Sequence, residues 1–156
     1  MLQIHVPDFA TLRLEHLVID YNGTLALDGE LLPGVRERLD RLASQLVIHV
    51  VTGDTFGKAR SRLGGLPCDI SVLSPQGQSQ AKSSYVEHLG PSSCVCIGNG
   101  RNDRLMLEIA ALAIAIAQRE GACVETLLSA DIVVSNIRDA LDLLAYPKRL
   151  VATLRG

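Results

Sequence analysis

Leu17-Val18-Ile19-Asp20-Tyr21-Asn22-Gly23-Thr24 is the stretch of this sequence that most strongly indicates a fold. Aliphatic residues lead directly to the carboxylate of Asp20, and Gly23-Thr24 follows it. A continuous aliphatic run is typical of a parallel strand that is buried on both faces. In sheets of this kind, ligands bind beyond the carboxyl ends of the strands. We therefore expect Asp20 to mark a phosphate-handling active site at the end of a buried strand.

Further apolar runs that could form strands recur along the rest of the chain. The candidate strands are 17–20, 46–52, 69–73, 94–98, 112–117 and 131–134. Their near-continuous apolar character again favours strands covered on both faces. The first dozen residues, in which Ile4 and Val6 alternate with polar neighbours, are expected to add a short edge strand.

Helical patterns separate these runs. Apolar residues spaced three and four apart occur at Val35, Leu39, Leu42 and Leu46, and again at Ile137, Ala140, Leu141 and Leu144. Two more helices are expected over 83–89 and 105–111, the second with Asn102-Asp103 at its N-cap. The alternation of strands and helices predicts a three-layer, doubly wound α/β fold with a Rossmann-like parallel sheet. The length suits a single domain over 1–156.

Composition and charge argue against several classes of function. Apolar residues make up 47% of the chain and aromatic residues 3%, which indicates an aliphatic core. The formal net charge of −2 gives no electrostatic reason to expect nucleic acid as a partner. The longest apolar stretch, 109–117, is too short to cross a bilayer, so no membrane partner is expected. Cysteines without a Cys-x-x-Cys pair, and no targeting segment at the start, predict free thiols in a cytoplasmic protein.

Three polar, glycine-containing segments follow three of the expected strands. They are 20–24, 52–55 and 98–103. The carboxyl ends of parallel strands meet at one edge of a sheet, so these segments are expected to lie close together. A turn alone would explain one such segment. Three segments that share hydroxyls, carboxylates and glycines are harder to explain by turns alone, which favours a common site.

The residue types in these segments suit phosphoryl transfer. The Asp20 carboxylate can attack a phosphoryl group and form an aspartyl-phosphate. Mg²⁺ would offset the repulsion between the two anions, with Asp103 as the second carboxylate. Hydroxyls and backbone N–H groups at Gly23-Thr24 and Thr52-Gly53 could hold phosphate oxygens. Lys82 is the best candidate for a cation aimed at the phosphate. Each of these residues also has a purely structural interpretation as a turn residue, a helix cap or a solvated side chain.

Together the segments resemble the four motifs of the haloacid dehalogenase (HAD) superfamily. Ile19-Asp20-Tyr21-Asn22-Gly23-Thr24-Leu25 resembles the first motif, hydrophobic-Asp-x-Asp-Gly-Thr, and Val51-Thr52-Gly53 looks like the second. Lys82 looks like the third. Gly98-Asn99-Gly100-Arg101-Asn102-Asp103 resembles the fourth and is especially close to the Gly-Asp-Gly-x-Asn-Asp of P-type ATPases. Order and spacing agree over roughly 17–134, and the C-terminal region also resembles the small group of soluble P-type ATPases.

The resemblance implies a Mg²⁺-dependent phosphohydrolase of the phosphatase or ATPase-like kind. It implies that Asp20 is the nucleophile and that Thr52 and Lys82 bind phosphate. The metal ligands that it implies are Asp20, the backbone carbonyl of Asn22, Asn99 and Asp103.

Two asparagines depart from the family pattern. Most phosphatases of the superfamily carry a second Asp two residues after the nucleophile as general acid and base, and here Asn22 cannot transfer a proton. Such catalysis is typically worth about 10²–10⁴-fold in rate, so slow turnover and a preference for good leaving groups are expected. Asn99 stands where the family usually supplies a metal-binding Asp, and an uncharged amide predicts weaker Mg²⁺ binding.

Other functions remain open from the sequence alone. A non-catalytic or regulatory phosphate-binding domain would also suit Asn22 and Asn99. A receiver-type phosphoacceptor domain shares an Asp, a Thr, a Lys and a parallel sheet, but the acidic pair that receivers carry after their first strand is absent here. The gaps 24–52 and 52–82 are too short for an inserted cap domain. An open site of this kind is consistent with a phosphorylated small molecule or macromolecule as substrate and with a homo-oligomer.

Overall fold

The computed structural model describes all 156 residues of the protein. Its strands are β1 (Leu2–Val6), β2 (Ala10–Leu14), β3 (His16–Ile19), β4 (Ala26–Leu27), β5 (Glu30–Leu31), β6 (Val47–Thr52), β7 (Cys68–Val72), β8 (Cys94–Gly98), β9 (Leu112–Ile116) and β10 (Ile132–Val134). Its α-helices are α1 (Val35–Leu42), α2 (Ala59–Leu63), α3 (Gln78–Leu89), α4 (Arg104–Ile109), α5 (Val124–Leu128), α6 (Ile137–Ala145) and α7 (Pro147–Leu154). Short 3₁₀ turns cover Pro91–Ser93 and Arg101–Asp103.

Six strands form a parallel sheet in the order β10-β9-β8-β3-β6-β7. They are the six aliphatic runs of the sequence, so the predicted α/β sheet is confirmed. Successive side chains of a strand point to opposite faces. In β3, Leu17 and Ile19 join a cluster of 30 buried apolar residues that includes α1 and α6, whereas Val18 joins a cluster of nine that includes α3 and α4. Helices therefore cover both faces of the sheet, which gives the three predicted layers.

The chain reverses its direction across the sheet at β3. From β3 it continues to β6 and β7 on one side, then returns to place β8 on the other side and continues to β9 and β10. The loops that leave β3 and β8 therefore diverge and open a crevice at the carboxyl ends of these strands. Asp20 follows β3 and Asn99 follows β8, so both lie at this crevice.

Two hairpins lie outside the main sheet. The predicted edge strand in the first dozen residues is wrong, because β1 and β2 pair antiparallel with each other in a sheet of their own. The buried side chains of this hairpin join the larger core cluster, which explains the alternation of Ile4 and Val6. The hairpin of β4 and β5 was not predicted. Its turn, Asp28-Gly29, has the two positive φ angles (52° and 79°) typical of a two-residue hairpin.

Helix α3, near the crevice, starts earlier in the chain than predicted. α3 begins at Gln78 and not at 83, because Gly77 adopts a left-handed conformation (φ 68°) directly before it. Lys82 therefore lies inside the helix. The segments 24–52 and 52–82 hold only a hairpin with α1 and then α2 with β7, so no cap domain is inserted there. None of the helices combines the length and apolar character that a bilayer crossing requires.

Candidate active site

Lys82 connects the two carboxylates that the sequence analysis selected. Its Nζ donates to Asp20 Oδ1 at 2.6 Å and to Asp103 Oδ1 at 2.6 Å. Lys82 and Asp103 are fully buried, and Asp20 is 6% exposed. The lysine comes from α3, the first carboxylate follows β3, and the second belongs to the 3₁₀ turn after β8. Three elements that are distant in sequence thus bring two negative charges and one positive charge together.

These buried charges perturb one another's pKa values. Burial, with the negative charge of Asp103, raises the pKa of Asp20 from 3.8 to about 7 against the opposing effect of Lys82. Burial would lower the pKa of Lys82, but the nearby carboxylates of Asp103 and Asp20 outweigh it and raise that pKa above its ordinary value. Lys82 is therefore protonated, whereas burial and Asp103 disfavour the Asp20 carboxylate, which a further positive charge nearby would stabilise. Perturbations of this kind cluster at functional sites.

Asp103 accepts hydrogen bonds from the loop after β8, in addition to the one from Lys82. Its Oδ2 accepts the backbone N–H groups of Asn99 at 2.9 Å and Gly100 at 2.8 Å. A Cβ at position 98 would collide with this carboxylate, which is why Gly98 is needed there. Asp103 occupies the predicted N-cap position of α4, but its side chain bonds the loop and not the helix. Through these contacts Asp103 positions Lys82 and the loop after β8, and its coordination of a metal ion stays a prediction.

A small polar cavity of about 130 Å³ opens beside Asp20. No hydrophobic residue lines it. Its lining residues are Asp20, Asn22, Thr52, Gly53, Thr55, Gln78, Asn99, Gly100, Asn102 and Glu120. Five residues that the sequence analysis selected therefore share this cavity, whereas Lys82 and Asp103 lie behind Asp20. The charged residues that line this cavity are Asp20 and Glu120, so an anion such as a phosphate group would need a cation beside it.

The oxygen atoms around Asp20 are not all satisfied within the protein. The Thr24 hydroxyl lies 3.3 Å from Asp20 Oδ2 and 3.2 Å from Asn99 Oδ1, and its single proton can satisfy only one of them. Asn22 Oδ1 is buried without a hydrogen-bond partner. A buried unsatisfied oxygen is costly unless a bound group satisfies it. The competing oxygens of Asp20 and Asn99 are ligands of the kind that a hard cation such as Mg²⁺ prefers. The chain contains no group of three or more His, Cys, Asp or Glu side chains that could hold a metal ion. The residues present fit a Mg²⁺ site of low charge.

The backbone donors available to a phosphate differ from those expected. The N–H groups of Gly23 and Thr24 donate to carbonyl oxygens inside the turn itself. Those of Asn22 and Gly53 make no hydrogen bond within the protein. Because Asn22 and Gly53 both line the polar cavity, their N–H groups are the ones free to meet a phosphate oxygen.

Thr52, Gly53 and Gln78 form the part of the cavity wall next to the carboxyl end of β6. Thr52 Oγ1 accepts the backbone N–H of Asp54 at 2.9 Å, which leaves its own proton free to donate. A Cβ at Gly53 would collide with the side chain of Gln78. Gln78 Oε1 in turn accepts from Asn102 Nδ2 at 2.8 Å. Gln78 was not predicted as a site residue, because its position at the start of α3 is visible only once that helix is known to begin early.

Gln118, which the sequence analysis also missed, holds the turn that carries Asp20. Its Nε2 donates to the carbonyl oxygens of Gly23 at 2.9 Å and Thr24 at 2.7 Å. Its Oε1 accepts the backbone N–H of Ile137 at 3.1 Å. The side chain thereby ties the Asp20 turn to the first residue of α6. Gln118 follows the carboxyl end of β9, so the strand-end rule that selected Asp20 also applies to it.

Gln118→Ala is expected to weaken this turn. Three backbone groups lose their partner, so we expect the free energy of unfolding to fall by about 1–3 kcal/mol. Misplacement of Asp20 should also lower the rate of phosphate release by up to about 10²-fold. Chemical denaturation and steady-state kinetics measure the two effects. Gln80→Ala, on the exposed surface of α3, is the matched control, and equal stability and rates in both variants would contradict this role of Gln118.

A larger cleft of about 530 Å³ adjoins the polar cavity on the side of β9 and α6. Its lining residues are Gly23, Ala26, Leu27, Leu32, Pro33, Gln118, Arg119, Glu120, Ser135, Asn136, Ile137 and Arg138. Arg119 and Arg138 form no salt bridge within the protein. The cleft therefore combines an apolar wall with two available cations, and Glu120 is the residue that lines both it and the polar cavity.

Several solved structures share this architecture. The deoxy-D-mannose-octulosonate 8-phosphate phosphatase YrbI of Haemophilus influenzae, in a cobalt-bound form, has a TM-score of 0.72 and 15% identity, covering 92% of this chain and 94% of that one. The 3-deoxy-D-manno-octulosonate 8-phosphate phosphatase of Moraxella catarrhalis, in complex with magnesium, phosphate and KDO, has a TM-score of 0.65 and 18% identity over 91% and 94% of the two chains. A Streptomyces avermitilis protein assigned to the HAD hydrolase family has a TM-score of 0.66 and 17% identity over 91% and 86%. The chain has the HAD fold.

Two proteins of Methanocaldococcus jannaschii are similar in sequence, and no family model matches the chain. Uncharacterized protein MJ0073 is 54% identical over 61 residues, which are 39% of this chain and 66% of that protein. Uncharacterized protein MJ0072 is 41% identical over 39 residues, which are 25% of this chain and 89% of that protein. The chain belongs to one family with MJ0072, and it spans just under two thirds of the length of MJ0073.

The shared fold agrees with the broader of the two resemblances seen in the motifs. The neighbours cover about nine tenths of this chain with no inserted cap, which agrees with the short gaps between its motifs. The narrower resemblance to soluble P-type ATPases stays a prediction. The metal ions of the neighbouring phosphatases, magnesium and cobalt, are consistent with use of a divalent metal by proteins of this fold.

Proposed function

We propose that the protein is a Mg²⁺-dependent HAD-type phosphohydrolase that acts through an aspartyl-phosphate on Asp20. The observation that carries the proposal is the buried contact of Lys82 with Asp20 and Asp103, at 2.6 Å in each case, beside a polar cavity. Burying three charges costs desolvation energy that an apolar core would avoid. In the proposed enzyme, the buried charges position the Asp20 carboxylate to attack phosphate, which is a functional reason for this cost. The phosphatases among the neighbours of the same fold support the assignment.

In the proposed reaction, the phosphate group of the substrate occupies the polar cavity. Asp20 attacks phosphorus, and the bond from phosphorus to the leaving oxygen breaks. Water then attacks the aspartyl-phosphate, which releases inorganic phosphate and restores the Asp20 carboxylate. Lys82 compensates the charge of Asp20, while the N–H groups of Asn22 and Gly53 and the hydroxyl of Thr52 are placed to stabilise the phosphoryl oxygens.

Mg²⁺ would supply charge compensation between the carboxylate and the phosphate. Asp20, Asn99 and the backbone carbonyl of Asn22 would hold it, in line with the oxygens of Asp20 and Asn99 that compete for the one proton of Thr24. Asp20 is the one charged member of this set, so we expect Mg²⁺ to bind weakly until phosphate is present. Asp103, the fourth predicted ligand, holds Lys82 and the loop that carries Asn99.

Asn22→Asp is expected to raise the rate with substrates that have poor leaving groups. Asn22 Oδ1 has no hydrogen-bond partner, so the substitution breaks no bond to that atom and adds a proton donor. General acid–base help is worth up to about 10²–10⁴-fold, and the gain is smaller to the extent that another residue already supplies it. The comparison to make is kcat for phenyl phosphate against kcat for 4-nitrophenyl phosphate, whose leaving group needs no proton.

Asn99→Asp is the matched control for that variant. It adds charge to the metal site but loses the bond from Asn99 Nδ2 to the Gly121 carbonyl, 3.0 Å long. We expect it to lower the Mg²⁺ concentration needed for half-maximal activity without changing the preference between the two leaving groups. If neither substitution raises the rate, the account of a weakened phosphatase fails.

A second candidate function is non-catalytic or regulatory phosphate binding, which the absence of an acid at Asn22 favours. One incubation with Mg²⁺ and acetyl phosphate, ATP or an aryl phosphate separates the candidates when released phosphate and protein mass are both followed. Continuous release that chelation of the metal stops supports the enzyme. Saturable binding without release or adduct supports the binding domain, and a stable adduct without release supports a phosphoacceptor.

We propose a phosphorylated small molecule as the substrate. The 530 Å³ cleft can receive an organic leaving group, and Arg119 and Arg138 can pair with a polar or anionic part of it. The ATPase-like activity, the homo-oligomer and the cytoplasmic location expected from the sequence stay predictions.

A further inference from the structure

The proposed reaction leaves proton transfer without a residue. A proton must reach a poor leaving group when its bond to phosphorus breaks, and another must leave the water that attacks the aspartyl-phosphate. Asn22 cannot perform either transfer. Asp103 is fully buried, and both of its oxygens are engaged by Lys82 and by the loop after β8.

Glu120 lies between the polar cavity and the larger cleft, both of which it lines. Besides Asp20, it is the one carboxyl residue that lines the polar cavity, and it is the one residue that this cavity shares with the larger cleft. A phosphate in the polar cavity and an organic group in the cleft place the oxygen that joins them at the junction of the two. Glu120 lies at that junction.

The backbone around Glu120 is anchored, but its side chain is free. Two residues before it, Gln118 bonds the Asp20 turn at 2.9 and 2.7 Å. Directly after it, the Gly121 carbonyl accepts from Asn99 Nδ2 at 3.0 Å. Glu120 itself is exposed and forms no salt bridge within the protein. Its carboxyl group is therefore available to substrate and water, and the fold does not depend on it.

We propose that Glu120 is the general acid and base of this site, an inference that rests on the proposed phosphohydrolase function. As Asp20 attacks phosphorus, the carboxyl group of Glu120 gives its proton to the leaving oxygen, and the product leaves as an alcohol. The resulting Glu120 carboxylate then takes a proton from the water that attacks the aspartyl-phosphate. Inorganic phosphate is released, and both the Asp20 carboxylate and the protonated Glu120 are restored.

Glu120→Gln tests the role without disturbing the fold. With 4-nitrophenyl phosphate, the first step needs no proton, so the variant should release a burst of nitrophenol equal to the enzyme and then turn over about 10²–10⁴-fold more slowly than wild type. Intact-mass measurement should show the accumulated phosphoenzyme. With phenyl phosphate, whose leaving group needs a proton, the variant should release no burst of phenol. Glu87→Gln, at an exposed glutamate on α3, is the matched control and should behave as wild type.

Rescue provides a readout that a structural role would not give. Adding Asn22→Asp to Glu120→Gln restores a proton-transfer group in the same cavity and should recover turnover and remove the burst. Wild-type rates in Glu120→Gln, or a loss that excess Mg²⁺ reverses because Glu120 is a metal ligand, would overturn the inference while leaving the proposed function intact. Wild-type protein without turnover that depends on Asp20 would overturn the proposed function, and the role of Glu120 with it.

Discussion

Asp20→Asn is expected to abolish phosphate release from acetyl and aryl phosphates. An amide cannot act as the nucleophile, and loss of a nucleophile that forms a covalent intermediate should lower kcat by about 10³-fold or more. The neutral side chain still fits between Lys82 and Thr24, so the fold should be retained. Released phosphate and the far-ultraviolet circular dichroism spectrum measure the two properties. Asp40→Asn, at an exposed aspartate on α1, is the matched control.

Without metal, the same substitution should also flatten the pH dependence of stability. The folded pKa of Asp20, about 7, lies above its ordinary value of 3.8. Between these values the folded protein keeps a proton that the unfolded chain releases, so the contribution of Asp20 is full below the lower value and is lost as the pH rises through the upper one. Asn does not titrate. Thermal unfolding in chelator should therefore show a variant no less stable than wild type above pH about 7, and a clearly less stable variant would contradict the proposed charge balance.

Lys82→Met is expected to have the largest effect on stability. The substitution leaves Asp20 and Asp103 buried without their cation, and breaking a buried pair in this way typically costs about 3–5 kcal/mol. Phosphate release should be lost as well. Urea denaturation measures the stability, and the destabilisation should shrink at acid pH, where the buried Asp20 carboxylate takes up a proton.

A double-substitution cycle separates lost charge from lost packing. Lys82→Met combined with Asp103→Asn removes one of the two stranded charges, so the pair should cost less than the sum of the single variants. Lys148→Met, at an exposed lysine on α7, should change stability by less than about 0.5 kcal/mol. Wild-type stability in Lys82→Met would show that the buried triad does not exist as described.

Local patterns were sufficient to predict the sheet and the residues at the ends of its strands. The aliphatic runs before Asp20, Thr52 and Asn99 each form a central strand. A strand that is buried on both faces needs mainly apolar side chains along its whole length. The position of Asp20 and Asn99 at one crevice then follows from the strand order. Lys82 was selected by chemistry and order along the chain, and α3 delivers it to Asp20.

The remaining features depend on contacts that local patterns do not encode. The first hairpin resembles an edge strand until its partner is known, since β1 pairs with β2 and not with the main sheet. The contacts of Asp103 with Lys82 and with the loop after β8 also depend on the tertiary structure, and its role as a metal ligand stays a prediction. Gln118 and Glu120 lie in a polar turn without a recognisable motif, and the contact of Gln118 with the Asp20 turn joins residues more than 90 positions apart.

The most direct test of phosphoryl transfer to Asp20 is to locate the phosphoryl group on the protein. Wild-type protein is mixed with Mg²⁺ and 4-nitrophenyl phosphate, quenched in acid within the first turnover and analysed by intact-mass and peptide mass spectrometry, with Asp20→Asn in parallel. The account predicts one added phosphoryl group on the peptide that contains Asp20, and none on the variant. Steady phosphate release without a phosphoryl group on Asp20, or an equal rate in the variant, would contradict it.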